Sequence, residues 1–371
     1  MSESSTLPAG ELQDGCASAR DVLAAGVMAW PAFRSENPYN VMLYEAVTES
    51  GVRVDDFSPW KLLTSPPSIF HVHWPEIVIN VPNSVRAALR GIAFLSLIWA
   101  ARLRGTKVVW TVHNLHPHEL PHPRLQRWLW RGLLPLVDGY VSLTAGGAQA
   151  ARETFPPLCR LPGFVIPHGH FRRAYSNHMS FEEARCRLGI PLGSTVFGFL
   201  GRIRPYKNVP HLVQTFRALQ DPEARLLIAG QPESAAIRAE VAEAAAGDLR
   251  VHLSLDHVPN DAVQLYLKAC DLVVLPFTEI LNSGSAMLAL SFDRPVLVPL
   301  TGAMGELQST AGPEWVRTFS GSLTPPELES AGRWARAAQR GHCSSIDRLG
   351  WEHAGQLTTE AYCQLAASEA L

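Results

Sequence analysis

Residues 195–208 read TVFGFLGRIRPYKN, and residues 271–299 read DLVVLPFTEILNSGSAMLALSFDRPVLVP. Each opens on a short apolar run, crosses a loop of Gly, Pro and polar residues, and continues into helical spacing. That pattern marks a buried parallel strand followed by a crossover helix. Outward from these stretches it repeats. Apolar runs at 225–229 (RLLIA) and 249–253 (LRVHL) stand among helical segments at 209–219, 233–246, 260–269 and 283–291. Upstream, runs at 22–30 (VLAAGVMAW), 69–74 (IFHVHW), 107–113 (KVVWTVH) and 139–144 (GYVSLT) alternate with helical spacing at 39–50, 84–104 and 124–136. The alternation predicts α/β architecture with doubly wound, largely parallel sheets. Two series in tandem predict two Rossmann-like domains, over residues 21–172 and 173–350, behind a loose polar tail at 1–20. Residues 351–371 predict one amphipathic helix.

The bulk properties narrow the function. The chain has 371 residues, 47% hydrophobic and 18% charged, with a formal net charge of -2. That balance supports substantial cores and provides no basic field for nucleic acid. Six cysteines form no CxxC pair, so neither a zinc cage nor a disulfide framework is expected. The first residues lack the basic start and apolar run of a signal peptide, and the expected location is the cytoplasm.

In open parallel sheets, ligands bind beyond the carboxyl ends of the strands, so the loops after the strands carry the chemistry. In GRIRPYKN, Gly201 allows a tight turn or close backbone approach, while Arg202 and Lys207 place two cations at a strand end. After the 272–276 run, Glu279 can accept hydrogen bonds from sugar hydroxyls. Asn282, Ser283, Gly284 and Ser285 can cap a helix whose first N–H groups would hold a diphosphate. Read alone, each loop is equally an ordinary strand–loop–helix junction. Together they point to a nucleotide-sugar site.

These segments resemble the GT-B glycosyltransferases around glycosyltransferase family 4. GRIRPYK looks like the family's G-R-x-x-x-x-K segment, and residues 271–299 look like its acidic donor segment. The resemblance implies two domains facing a cleft, with the helix of residues 351–371 crossing back to pack on the amino-terminal domain. It implies Arg202 and Lys207 on the donor diphosphate, and Glu279 on the donor sugar. It departs at Met287, where the family places a second Glu that often binds ribose, and at Phe292-Asp293-Arg294 before Pro295. The SGSAMLALSF version is closest in kind to bacterial polysaccharide and β-mannosyltransferase-like members. The implied donor is GDP-mannose or a UDP-hexose, with no further cofactor and no metal. The implied acceptor is a saccharide or a lipid-linked saccharide.

The amino-terminal half clusters His and Glu after strands: His73 and Glu76 in one loop, His113, His118 and Glu119 in the next. No compact metal spacing such as HExxH occurs, so a general base that removes an acceptor proton suits them better. An inverting reaction is the expectation. Asn37 and Tyr39, between the first strand and first helix, are expected on the acceptor; the plainer alternative is a helix start with Pro in its first turn. The segments at 84–104 and 124–136 carry seven arginines beside Trp99, Trp128 and Trp130, which suits peripheral contact with the inner face of a membrane. Two rivals to a transferase stay open on the residues: a sugar-nucleotide epimerase of the same fold, and a non-catalytic sugar-nucleotide-binding subunit of a polysaccharide assembly.

Overall fold

The structure, a computed structural model, describes residues 23–34, 37–115, 121–337 and 340–368. The predicted tail lies outside them, as do His118 and Glu119. The chain forms two compact units: Met1–Pro167 with Trp351–Leu371, and His168–Gly350.

The first unit is a parallel sheet of six strands: β1 (Val27–Trp30), β2 (Val54–Asp56), β3 (Ile69–Val72), β4 (Lys107–Thr111), β5 (Gly139–Ser142) and β6 (Gly163–Val165). Their order is β2-β1-β3-β4-β5-β6. Helices α1 (Pro38–Glu49), α2 (Pro59–Thr64), α3 (Ser84–Arg102), α4 (Pro123–Leu133) and α5 (Ala145–Thr154) lie between the strands in sequence. Strands β3 and β5 are buried at every position, as expected where helices cover both faces of a parallel sheet. The short edge strands β2 and β6 are absent from the sequence reading. Asp55 and Asp56 in one, and a three-residue length in each, leave no apolar run to detect.

The second unit repeats the plan with α6 (Phe181–Leu188), β7 (Thr195–Leu200), α7 (Val209–Arg217), β8 (Ala224–Ala229), α8 (Ala235–Ala245), β9 (Val251–Ser254), α9 (Val263–Ala269), β10 (Leu272–Val274), α10 (Gly284–Ser291), β11 (Val296–Pro299), α11 (Met304–Ala311), β12 (Val316–Phe319) and α12 (Pro325–Ala337). The strand order is β12-β11-β10-β7-β8-β9. The order reverses between β7 and β10, which are paired, so the two loops singled out in the sequence leave adjacent strands at the switch point.

The units divide before His168, not after residue 172. Phe171 and Arg172 are bonded into the second unit: Phe171 N donates to Ser291 Oγ at 2.8 Å, and Arg172 pairs with Asp293 at 2.8 Å. The last helix, α13 (Trp351–Ala367), belongs to the first unit. A Cβ at Gly355 would lie 2.8 Å from Ala46, so glycine lets α13 approach α1 this closely.

Candidate active site

In the second unit the chain leaves β7 through Gly201 at φ +137°, a conformation that side chains rarely adopt. A Cβ there would lie 3.2 Å from Lys207 Nζ and 3.4 Å from Ser285 Oγ. Gly201, Lys207 and Ser285 therefore line one hollow, although Ser285 comes from the other loop. A hydrogen-bond pair ties the loops together: Thr278 N and Oγ1 both donate to Tyr206 O, at 2.8 and 3.2 Å. The sequence reading missed Gly230. Its Cβ would lie 2.0 Å from Gly201 O, so only glycine lets the end of β8 pass under the turn. A Gly directly after RLLIA was the available signal.

Lys207 is buried, with its Nζ 5.7 Å from the ring centres of Phe199 and Phe277. Burial, and then Arg204 and Arg202, lower its ammonium to about 8. Arg202 is exposed and close enough to contribute to that shift. Arg204 turns toward Glu233 at 3.6 Å. Helix α10 begins at the same hollow. Ser283 Oγ accepts from Ala286 N at 3.0 Å, and the other first-turn N–H groups carry the positive end of the helix. Asn282, Ser283 and Gly284 are partly exposed at this start, and Glu279 is exposed on the loop before it. Met287 is buried on α10, and its thioether presents no carboxylate there. His168 lies against the same helix start: a Cβ at Gly284 would be 3.9 Å from its Nε2. Burial lowers His168 to about 4.

In the first unit, alternation along β3 puts His71 and His73 on one face, their rings stacked at 4.4 Å. Both are buried, at 1% exposure. Burial drives His71 down to about 3 and His73 well below the usual imidazole range, so both are neutral. His71 Nδ1 meets the hydroxyls of Tyr44 at 3.0 Å and Tyr362 at 2.6 Å, and its Nε2 meets Thr111 Oγ1 at 2.7 Å. His73 Nε2 meets the Tyr44 hydroxyl at 2.5 Å, and its Nδ1 meets His113 Nε2 at 2.9 Å. His113 is partly exposed. Trp74 stacks on it at 4.3 Å and Tyr39 packs edge-on at 5.1 Å.

This arrangement bears on two expectations. His73 is enclosed with both nitrogens engaged, one on the Tyr44 hydroxyl and one on His113. Tyr39 is buried at 3% exposure between His113 and Trp351, and Asn37 Oδ1 caps α1 by accepting from Tyr39 N at 3.1 Å. The loop is thus a helix start, with Tyr39 enclosed and Asn37 exposed. Glu76 is partly exposed in the 3-10 turn Pro75–Ile79, and desolvation raises its carboxyl to about 7. Tyr44 and Tyr362 left no mark in the sequence, where aromatics on amphipathic helices read as core. Among the described residues, no group of three or more His, Cys, Asp or Glu is placed to hold a metal ion.

Two Rossmann-like units, one with cations and a helix start at its switch point, match solved structures along most of the chain. A sucrose-phosphate synthase from Thermosynechococcus elongatus is similar at TM-score 0.67 and 18% identity, covering 92% of this chain and 99% of that one. Anabaena HepE in complex with UDP and glucose is similar at TM-score 0.58 and 14% identity, covering 91% and 97%. The fold is GT-B, the two-domain class of glycosyltransferases. The model of the glycosyl transferases group 1 matches residues 180–285. A GDP-mannose:glycolipid 4-β-D-mannosyltransferase from Xanthomonas campestris pv. campestris is 33% identical over 333 residues, 88% of either chain. The chain belongs to the group 1 glycosyltransferases and is an enzyme of that class.

Proposed function

We propose that this enzyme transfers mannose from GDP-mannose to a lipid-linked saccharide, with inversion, at a membrane surface. The observation that carries the donor and acceptor is the 33% identity to the Xanthomonas mannosyltransferase along 88% of both chains. In this reading Lys207, Arg202 and the first turn of α10 stabilise the departing diphosphate, and Glu279 receives sugar hydroxyls. Met287 leaves ribose recognition to other residues. A β-mannoside made from an α-linked donor requires inversion, hence a group that takes the acceptor proton as the new bond forms. His113, partly exposed and backed by His73, is assigned that role over Glu76, because a second imidazole fixes its ring.

The membrane assignment rests on α3. Val85, Leu89, Ile92, Trp99 and Leu103 recur at helical spacing and are all more than half exposed. Only 28% of the helix is buried, and Arg86, Arg90 and Arg104 are exposed beside the apolar stripe. Apolar side chains flanked by arginine suit an anionic bilayer interface. Trp128 joins this exposed set, whereas Trp130 is half-buried, 4.6 Å from Trp110.

A donor panel tests the reading. At about 100 times its dissociation constant a ligand adds roughly 2.7 kcal/mol to stability, so GDP-mannose should raise the melting temperature clearly more than UDP-hexoses. Stabilisation by UDP-sugars alone would reject the donor. Conversion of the donor to an epimer without any acceptor would reject transfer as the activity.

A further inference from the structure

We infer that Arg172 and Asp293 are positioning residues for the donor: they clamp the far end of α10 to both passages of the chain between the units, so that a diphosphate at the start of α10 is felt at those passages. The inference rests on the reading of that helix start as a diphosphate ligand.

The second unit begins at His168 and ends at Gly350, so the chain passes between the units at these two places. His170 N donates to Leu349 O at 3.0 Å, which fastens the two passages to each other within the second unit. Both then reach the carboxyl end of α10. From the first passage, Phe171 N donates to the buried Ser291 Oγ at 2.8 Å, and that hydroxyl donates to Met287 O at 2.6 Å. The Arg172 guanidinium donates to Asp293 Oδ1 at 2.8 Å and to Ser291 O at 3.2 Å. Other N–H groups of the same side chain turn to the second passage, to Cys343 O and Asp347 Oδ1, each at 3.1 Å. Cys343 N in turn donates to Asp293 Oδ1 at 2.8 Å. One ion pair thus joins both passages to one helix end.

Aspartate is not the residue that the backbone favours there. Asp293 N donates to Leu290 O and Arg294 N to Ala289 O, both at 3.0 Å, the bonds that close a helix over a left-handed residue. Asp293 has φ +55°, a conformation that glycine adopts without strain and other residues do not. It lies in the Phe292-Asp293-Arg294 stretch at which the chain departs from the family pattern. What aspartate adds over glycine is a carboxylate. Burial opposes its charge, yet the hydrogen bonds from Arg172 and Cys343 N hold it below the usual carboxylate range. Strain at a position whose side chain is fully engaged points to a task there. The task follows from what α10 connects. Its eight residues make a rod of about 12 Å. The hollow of Gly201, Lys207 and Ser285 lies at its start, and the clamp at its end. Rigid helices carry displacement from one site to another. A diphosphate that draws on the first-turn N–H groups therefore pulls on a rod whose other end Arg172 holds, and so tightens both passages.

The test is hydrogen exchange of the full chain with and without GDP, and with UDP in parallel. In the wild type GDP should slow exchange at residues 282–287 and also at 168–173 and 343–350. Asp293→Gly suits the left-handed backbone and removes the carboxylate, so the fold should be kept. In this variant GDP should still slow exchange at 282–287 but no longer at the passages. Its affinity for GDP should fall about fivefold or more, the lower end of typical coupling between sites. Asp293→Asn also tolerates the conformation. It should fall between wild type and Asp293→Gly, because its amide oxygen accepts from Cys343 N without the charge that pairs with Arg172. Protection of 282–287 alone in the wild type, or wild-type affinity and protection of the passages in Asp293→Gly, would overturn the inference. No protection of 282–287 by either nucleotide would instead overturn the reading of α10 as a diphosphate ligand.

Discussion

Lys207 sets the terms at the residue scale. A buried ammonium held near 8 is charged at neutral pH and loses its charge as pH rises past that value. Donor affinity should therefore fall as pH rises through about 8 in the wild type and lose that dependence in Lys207→Ala. Arg202→Ala and Lys207→Ala should each cost about 2 kcal/mol in turnover, the scale of a lost hydrogen bond to a charged group. Near-normal kcat/KM in both, or an unchanged pH dependence in Lys207→Ala, would place the diphosphate elsewhere. The place of Arg202, Lys207 and Ser285 in loops after strands was legible in the sequence, because a glycine-bearing polar stretch after an apolar run marks a strand–loop–helix junction. Gly230 and Tyr44 were not. The constraint on Gly230 is the 2.0 Å approach of a backbone from another strand. That of Tyr44 is a pair of histidines 27 and 29 residues away. Neither distance is visible along the chain.

Elements divide in the same way. Strands buried on both faces, such as β7, were read to the residue, because a short run carrying Val196, Phe197, Phe199 and Leu200, bounded by turn residues, admits little else. The edge strands β2 and β12 were missed, since Asp55, Asp56 and Arg317 interrupt the apolar run at sheet margins. The segment that forms α3 was read from its arginines and Trp99; that Val85, Leu89, Ile92 and Trp99 share the exposed side is set by packing, which spacing leaves open. The full chain should sediment with anionic vesicles at low salt and release as salt rises. Leu89→Ser combined with Trp99→Ser should abolish sedimentation while leaving unfolding stability within about 1 kcal/mol of wild type, as surface substitutions do. Equal sedimentation of wild type and variant would move the membrane face off α3.

For the whole molecule, the tandem of two Rossmann-like units followed from counting strand–helix alternations, and the helix α13 from its amphipathic spacing. What the alternation does not encode is that α13 delivers Tyr362 to His71, so the end of the chain belongs to the histidine network of the first unit. The account's central claim is transfer of mannose from GDP-mannose to a lipid-linked saccharide with inversion. It is tested most directly by incubating the full chain with GDP-mannose and a lipid-linked saccharide acceptor and determining the anomeric configuration of the new linkage by NMR. The account predicts a β-mannoside, absent when His113→Ala replaces the wild type. An α-mannoside, or no mannosylated lipid while a UDP-hexose is transferred, would contradict it.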